Sequence, residues 1–330
     1  MHPATSLLFG CLLGFVLQRG DFCLHGAMRE VCEARPGPRL RAWALAVGLL
    51  AALASLATLT GVAVPPTPPM AIRAVFAGGL LFGVGMVLAR ACALSMWARV
   101  GTGSAGCAAA IAAFAVTVIG ASRSPWIAAL AAGDDAALAV PARSGTSLAV
   151  IVVVAVTLVV LLFVASPLTP EPRRWPWPLT GVAITALVAA GAALRGSAAE
   201  GVSALQGVRG LADTAMSTGE PIGSMGVILV GIPIGSWLSA RSGGPLAWRV
   251  PTPLELARRT VGGALMGIGA VLAAGCNAAH ALGGVAFLSP VALVALAGML
   301  AGSAVALRLA GARRGVELRR VRTSVTRVRR

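Results

Sequence analysis

The stretch Gly262–Ala281, GGALMGIGAVLAAGCNAAHA, decides how this chain is read, because its apolar run breaks at a cysteine and the pattern occurs more than once. Gly78–Ala93 reads GGLLFGVGMVLARACA. Superposed without gaps, it sets Gly78 on Gly262, Gly79 on Gly263, Gly83 on Gly267, Gly85 on Gly269 and Cys92 on Cys276. A weaker third copy, GFVLQRGDFC, keeps the step from Gly14 to Cys23 but lacks the paired glycines. Glycines at fixed intervals let apolar helices approach closely, and a repeated interval marks a repeated unit. The unit predicted here is a close-packed helix that ends in a loop carrying a thiol.

Composition places that unit in a membrane. Of 330 residues, 57% are hydrophobic and 12% charged, and the mean hydropathy of +0.86 is too high for a soluble chain of this length. The net charge of +16 comes from 27 basic residues, all arginine. They lie between apolar runs and in the C-terminal tail, not in one basic domain interleaved with aromatics, which argues against a nucleic-acid partner. The apolar start of the chain has no basic leader and no small-residue cleavage site, so it reads as a retained first span.

Nine apolar runs are long enough to span a bilayer, near 4–19, 42–64, 72–89, 102–121, 146–166, 178–195, 221–240, 257–274 and 289–309. Four semi-polar segments, 21–33, 90–100, 198–213 and 276–288, are too short to cross and too apolar for ordinary loops. They predict broken or re-entrant helices, which survive at membrane depth only where protein or a water-filled cavity covers them. The expected fold is an all-α integral membrane protein of about nine transmembrane helices. Arginine placement sets its orientation: an outside N-terminus puts 21 arginines on the cytoplasmic side and 5 outside. The helices before Cys92 and Cys276 then run in opposite directions. This predicts an inverted 4+1+4 arrangement: a first repeat over 1–145, a linking segment over 146–177, an inverted second repeat over 178–310 and a basic cytoplasmic tail over 311–330. The run from Gly181 to Glu200 should match the first span, yet no cysteine follows it.

Several chemistries suit thiols at helix breaks. A small residue tolerated at a break is the plainest. Metal binding has weak support, from His25 two residues after Cys23 and His280 four after Cys276, while the Cys92 copy has no histidine. A membrane-embedded thiol protein handling redox or metal therefore stands as the alternative function. Anion binding has more behind it, since a helix that starts at each cysteine offers free amides and a positive end. Arg90, two residues before Cys92, adds a cation, and Asn277 adds an amide able to donate to an oxyanion. Neither a P-loop, nor GxSxG, nor a paired-carboxylate motif is present, which argues against an enzyme.

The blocks GFVLQRGDFCLHGAMRE, GVGMVLARACALSMWARVGTGS and GIGAVLAAGCNAAHALGG resemble the three cysteine blocks of the YeeE/YedE family of sulfur-compound transporters, and the resemblance runs through the chain up to the arginine tail. It implies uptake of thiosulfate or a related sulfur anion across the bacterial inner membrane, without a cofactor, along thiols that hold the substrate through weak sulfur-centred hydrogen bonds. It also implies Cys23 as the outer station, Cys92 as the central one and Cys276 as the cytoplasmic one. A soluble sulfur-carrier protein is the cytoplasmic partner it suggests. This chain departs from the family at Arg90 and Ala91, where a glycine pair is common.

Overall fold

The structure, a computed structural model, describes residues 2–33, 37–59, 71–132, 174–195, 202–216, 223–242, 248–286 and 289–328. Its helices are α1 Pro3–Arg19, α2 Leu24–Cys32, α3 Pro38–Leu59, α4 Ile72–Ala89, α5 Ala93–Gly101, α6 Ala105–Arg123, α7 Pro125–Ala131, α8 Trp177–Arg195, α9 Ala204–Met216, α10 Ser224–Arg241, α11 Pro253–Leu272 and α12 Pro290–Val328, with a π-helical turn at Ala279–Gly284 before the last. Among the described residues the only β contact is an isolated bridge between Ser104 and Arg249. A helix satisfies its own backbone, which is the requirement in a lipid core.

Seven helical stretches among the described residues are long and apolar enough to cross a membrane, so this is a multi-pass helical membrane protein. Two of them, Pro3–Cys32 and Ile72–Gly101, each join a broken helix to its short continuation. The expected span at 146–166 lies outside the described residues. α11 is as long as the seven but carries Glu255, Arg258 and Arg259 in its first turns.

The three breaks share one backbone design. Asp21, Arg90 and Ala274 each sit two residues before a cysteine, and each has a left-handed conformation, with φ of 45°, 56° and 57°. Their amides donate three residues back, to Gln18, Val87 and Val271. The next amides, of Phe22, Ala91 and Gly275, donate five residues back, to Leu17 at 3.2 Å, Met86 at 3.2 Å and Ala270 at 2.9 Å. This is the Schellman termination, which consumes the last free carbonyls of a helix. The cysteine then extends the chain and starts a new helix: the carbonyls of Cys23, Cys92 and Cys276 accept from Ala27, Met96 and His280.

No glycine fills the left-handed position at any of these breaks. For alanine that conformation costs roughly 1–2 kcal/mol, and glycine gives back about 0.5–1 kcal/mol of it in backbone entropy. Ala274→Gly is therefore expected to raise the thermal midpoint of the detergent-solubilised protein slightly and Ala274→Val to lower it, as followed by tryptophan fluorescence.

Glycines set the helix pairing. Ideal Cβ atoms built on Gly78 and Gly85 would lie 2.8 Å from the Gly269 carbonyl oxygen and 2.6 Å from that of Gly262, so the two repeated stretches cross antiparallel, glycine against glycine. On its other side α4 meets α12, through Gly79 at Ala295 and Gly83 at Met299. The matching glycines of α11, Gly263 and Gly267, meet α6 at Ala110 and Phe114. α1 packs on α10 while α3 packs on α8, and α2 lies against α12 while α9 lies against α6. Helices early in the chain therefore pack mainly on late ones: α1 on α10, α3 on α8, α4 on α11 and α12, and α6 on α11.

Candidate functional site

The three thiol-bearing breaks all lie in the protein interior. Cys23, Cys92 and Cys276 are each 1% exposed or less, which puts them inside the bundle and away from lipid. The Cys23 and Cys92 side chains lie close enough to influence one another electrostatically. Ser95 links them further: its hydroxyl is 3.1 Å from the Cys23 sulfur, accepts from the Cys92 amide at 2.9 Å and lies 3.0 Å from the Cys92 carbonyl. The Cys92 sulfur in turn accepts from the Ser95 amide, a capping box built with a thiol.

Asn277 joins this pair to the third cysteine. Its Oδ1 accepts from the Ala93 amide at 3.3 Å, the first amide of the helix that Cys92 starts. Its Nδ2 is fully buried and has no hydrogen-bond partner among the described residues. An orphaned buried donor costs about 1–3 kcal/mol, so one that persists points to a ligand or water that it serves. Beyond Asn277, the Cys276 sulfur accepts from the Ala204 amide at 3.4 Å and lies 4.0 Å from the Val202 carbonyl. A Cβ at neighbouring Gly275 would stand 2.8 Å from His280 Nε2, so a side chain there would displace the imidazole.

At the start of α9 a hydroxyl stands where the other short helices begin with a thiol. The Ser203 carbonyl accepts from Gly207 at 3.0 Å, as each cysteine carbonyl does from the residue four ahead, and its Oγ accepts from the Gln206 amide at 3.4 Å. Sequence reading passed over Ser203 because it looked for a thiol. The signal was there as S-x-x-Q, Ser203 to Gln206, a capping box ahead of a helix.

Arg90 and Arg99 divide the work expected of Arg90. The left-handed turn at Arg90 directs its half-exposed side chain to Glu255 at 3.0 Å. Arg99, at the end of α5, lies within electrostatic reach of Cys23, Cys92 and Asp21 and donates to the Arg90 carbonyl at 2.7 Å. Asp21, Glu30 and Glu33 are held in ion pairs, with Arg39 bridging Asp21 and Glu30 and Arg29 pairing with Glu33. All six cysteines are free. Among the described residues no three His, Cys, Asp or Glu side chains are grouped so as to hold a metal.

Buried thiols, hydroxyls and amides are thus linked from one break to the next. The family profile described as sulphur transport matches residues 19–305. The chain belongs to this family. The YeeE/YedE resemblance of its cysteine blocks is thereby accounted for, and the family is one of transporters, not enzymes. Among its relatives, the thiosulfate transporter TsuA of Spirochaeta thermophila is 30% identical over 306 residues, covering 85% of this chain and 91% of that protein. The thiosulfate transporter TsuA of Escherichia coli is 30% identical over 308 residues, 84% of this chain and 86% of that protein. This member of the sulphur-transport family thus aligns with both over most of their length.

Proposed function

We propose that the chain carries thiosulfate, or a closely related sulfur anion, inward across the bacterial inner membrane along the row Cys276, Asn277, Cys92 and Cys23. The observation that carries this reading is the contiguity of the row: Cys23 to Ser95 to Cys92, then the Ala93 amide to Asn277, the immediate neighbour of Cys276. The names of the two relatives supply the substrate. Neutral thiols suit the task, because a thiolate would repel an anion while S–H donates weakly to sulfur or oxygen. Amides at helix starts and the free Asn277 Nδ2 replace part of the water that the anion sheds.

The topology proposed for this path is N-terminus outside and C-terminus cytoplasmic, with repeats at 1–145 and 178–310 inverted about a link at 146–177. The antiparallel crossing of the two repeated stretches supports the inversion. With this orientation α1 and α4 descend to the arginine-rich side and α11 rises from it. That makes Cys276 the outer station and Cys23 the inner one, the reverse of the order drawn from the resemblance. Ser203 then stands beside Cys276 as the outermost group, and Arg90 belongs to the inner mouth. The tail at 311–330 extends on the same inner side, where a soluble sulfur-carrier protein would collect the product.

Uptake of labelled thiosulfate into proteoliposomes tests the assignment. Replacing Cys23, Cys276 or Asn277 singly by alanine is expected to lower uptake, and excess unlabelled thiosulfate to compete better than sulfate or selenite. Ser95→Ala should give an intermediate rate, since it removes the hydroxyl between the thiols but leaves both sulfurs. Full activity in all three single replacements would refute the path.

A further inference from the structure

A cavity of about 390 Å³ opens where the ends of α1 and α5 and the starts of α6 and α11 meet, lined among others by Gln18, Asp21, Arg99, Thr102, Arg249 and Arg259. It lies on the side of the thiol pair: Asp21, two residues before Cys23, lines it, as does Arg99, which is within electrostatic reach of Cys23 and Cys92. The loop bearing Arg249 is pinned over it by two backbone hydrogen bonds, Arg249 N–H to the Gly103 carbonyl at 2.7 Å and Ala105 N–H to the Arg249 carbonyl at 3.2 Å.

The charges around this cavity do not cancel. Asp21 is shared by Arg39 and Arg174, and Glu255 by Arg90 and Arg259. Arg99 donates to a backbone carbonyl, and Arg249 to the Thr102 carbonyl at 3.4 Å and hydroxyl at 3.3 Å. Neither is within ion-pair distance of a carboxylate among the described residues. Arg259 adds a third guanidinium whose Nε is buried without a hydrogen-bond partner. Two guanidiniums without a carboxylate and a buried Nε without a partner among the described residues thus border one cavity with donors to spare, which the oxygens of an anion would take up.

We propose that this cavity is a second anion site, a waiting station for a tetrahedral sulfur oxyanion held by Arg99 and Arg249 with the Thr102 hydroxyl. The assignment of substrate class rests on the transport reading above. The cavity is larger than such an ion, so water shares it and the ion leaves without full dehydration. The site supplies what the thiol row lacks: full positive charge next to its last sulfur, which draws the anion off Cys23.

The test reads the site directly and without transport. Full-length protein in detergent micelles is treated with phenylglyoxal, which modifies accessible arginines, and the rate at the exposed Arg249 is measured by peptide mass spectrometry in thiosulfate, sulfate or chloride at equal ionic strength. A dianion at roughly tenfold excess over its dissociation constant should slow modification by about tenfold relative to chloride, because only the unoccupied fraction reacts. Arg99→Gln should abolish that protection and Arg99→Lys should retain part of it. Cys92→Ala should leave it unchanged. Equal rates in all three salts would overturn the site, whatever uptake shows. A site that protects normally while Cys92→Ala transports normally would instead sink the thiol path and leave the cavity assignment standing.

Discussion

Replacing Cys92 by alanine is expected to reduce thiosulfate uptake to background while the protein still inserts and purifies as a single species. Cys92 sits between the other members of the row: its sulfur is within reach of Cys23, and the helix it starts is bonded through Ala93 to Asn277. Removing the sulfur opens a gap that neither neighbour spans. The structural cost is small by comparison. The Cys92 sulfur accepts one amide bond at a helix start, and loss of such a cap costs about 1 kcal/mol. Cys92→Ser separates the two contributions, since it restores the cap and a donor but not a soft sulfur. It should match the wild type in thermal midpoint and fall between wild type and alanine in uptake. The measurement is initial uptake in proteoliposomes at matched protein density, and wild-type rates for Cys92→Ala would remove the central role given to this thiol.

The second large effect concerns folding. Gly85→Leu is expected to prevent accumulation of folded protein, because even a Cβ at this position would lie 2.6 Å from the Gly262 carbonyl oxygen and 2.9 Å from the Met266 amide. Those atoms are backbone and cannot rotate away. Overpacking a well-filled core commonly costs about 1–3 kcal/mol, and here four glycines, Gly78, Gly85, Gly262 and Gly269, share one crossing. Gly269→Leu should fail in the same way. Gly120→Leu is the control, since a Cβ there meets nothing within 4 Å. Fluorescence-detected gel filtration of tagged variants reads the outcome. A normal monodisperse peak for Gly85→Leu would show that the crossing tolerates separation.

Much of this arrangement is visible in the amino-acid order. The glycine-to-cysteine interval located all three thiol-bearing breaks, because a Schellman turn followed by an extended cap has a fixed length. The antiparallel crossing follows from the same glycines once the helix directions are set by arginine counting. Three features were harder to see. Ser203 starts a short helix as the three cysteines do, but a hydroxyl does not stand out in a pattern built on sulfur. Arg90 drew attention by its nearness to Cys92 in the chain, whereas a left-handed residue turns its side chain off the helix axis, and Arg99 comes close only after α5 has wound almost two turns. The cavity at Arg249 depends on a backbone bridge between residues 104 and 249, a contact across 145 positions that local pattern cannot disclose.

The packing of early helices on late ones bears on how the protein is made. α4 emerges from the ribosome long before either α11 or α12, the helices that cover its two glycine faces. Until the last third of the chain has been synthesised, the early helices sit in the bilayer with those faces against lipid or against an insertion factor. Assembly is therefore late and concerted, as expected for contacts so distant along the chain. Truncation ahead of α12 should yield inserted but protease-sensitive helices and no half-sized stable intermediate.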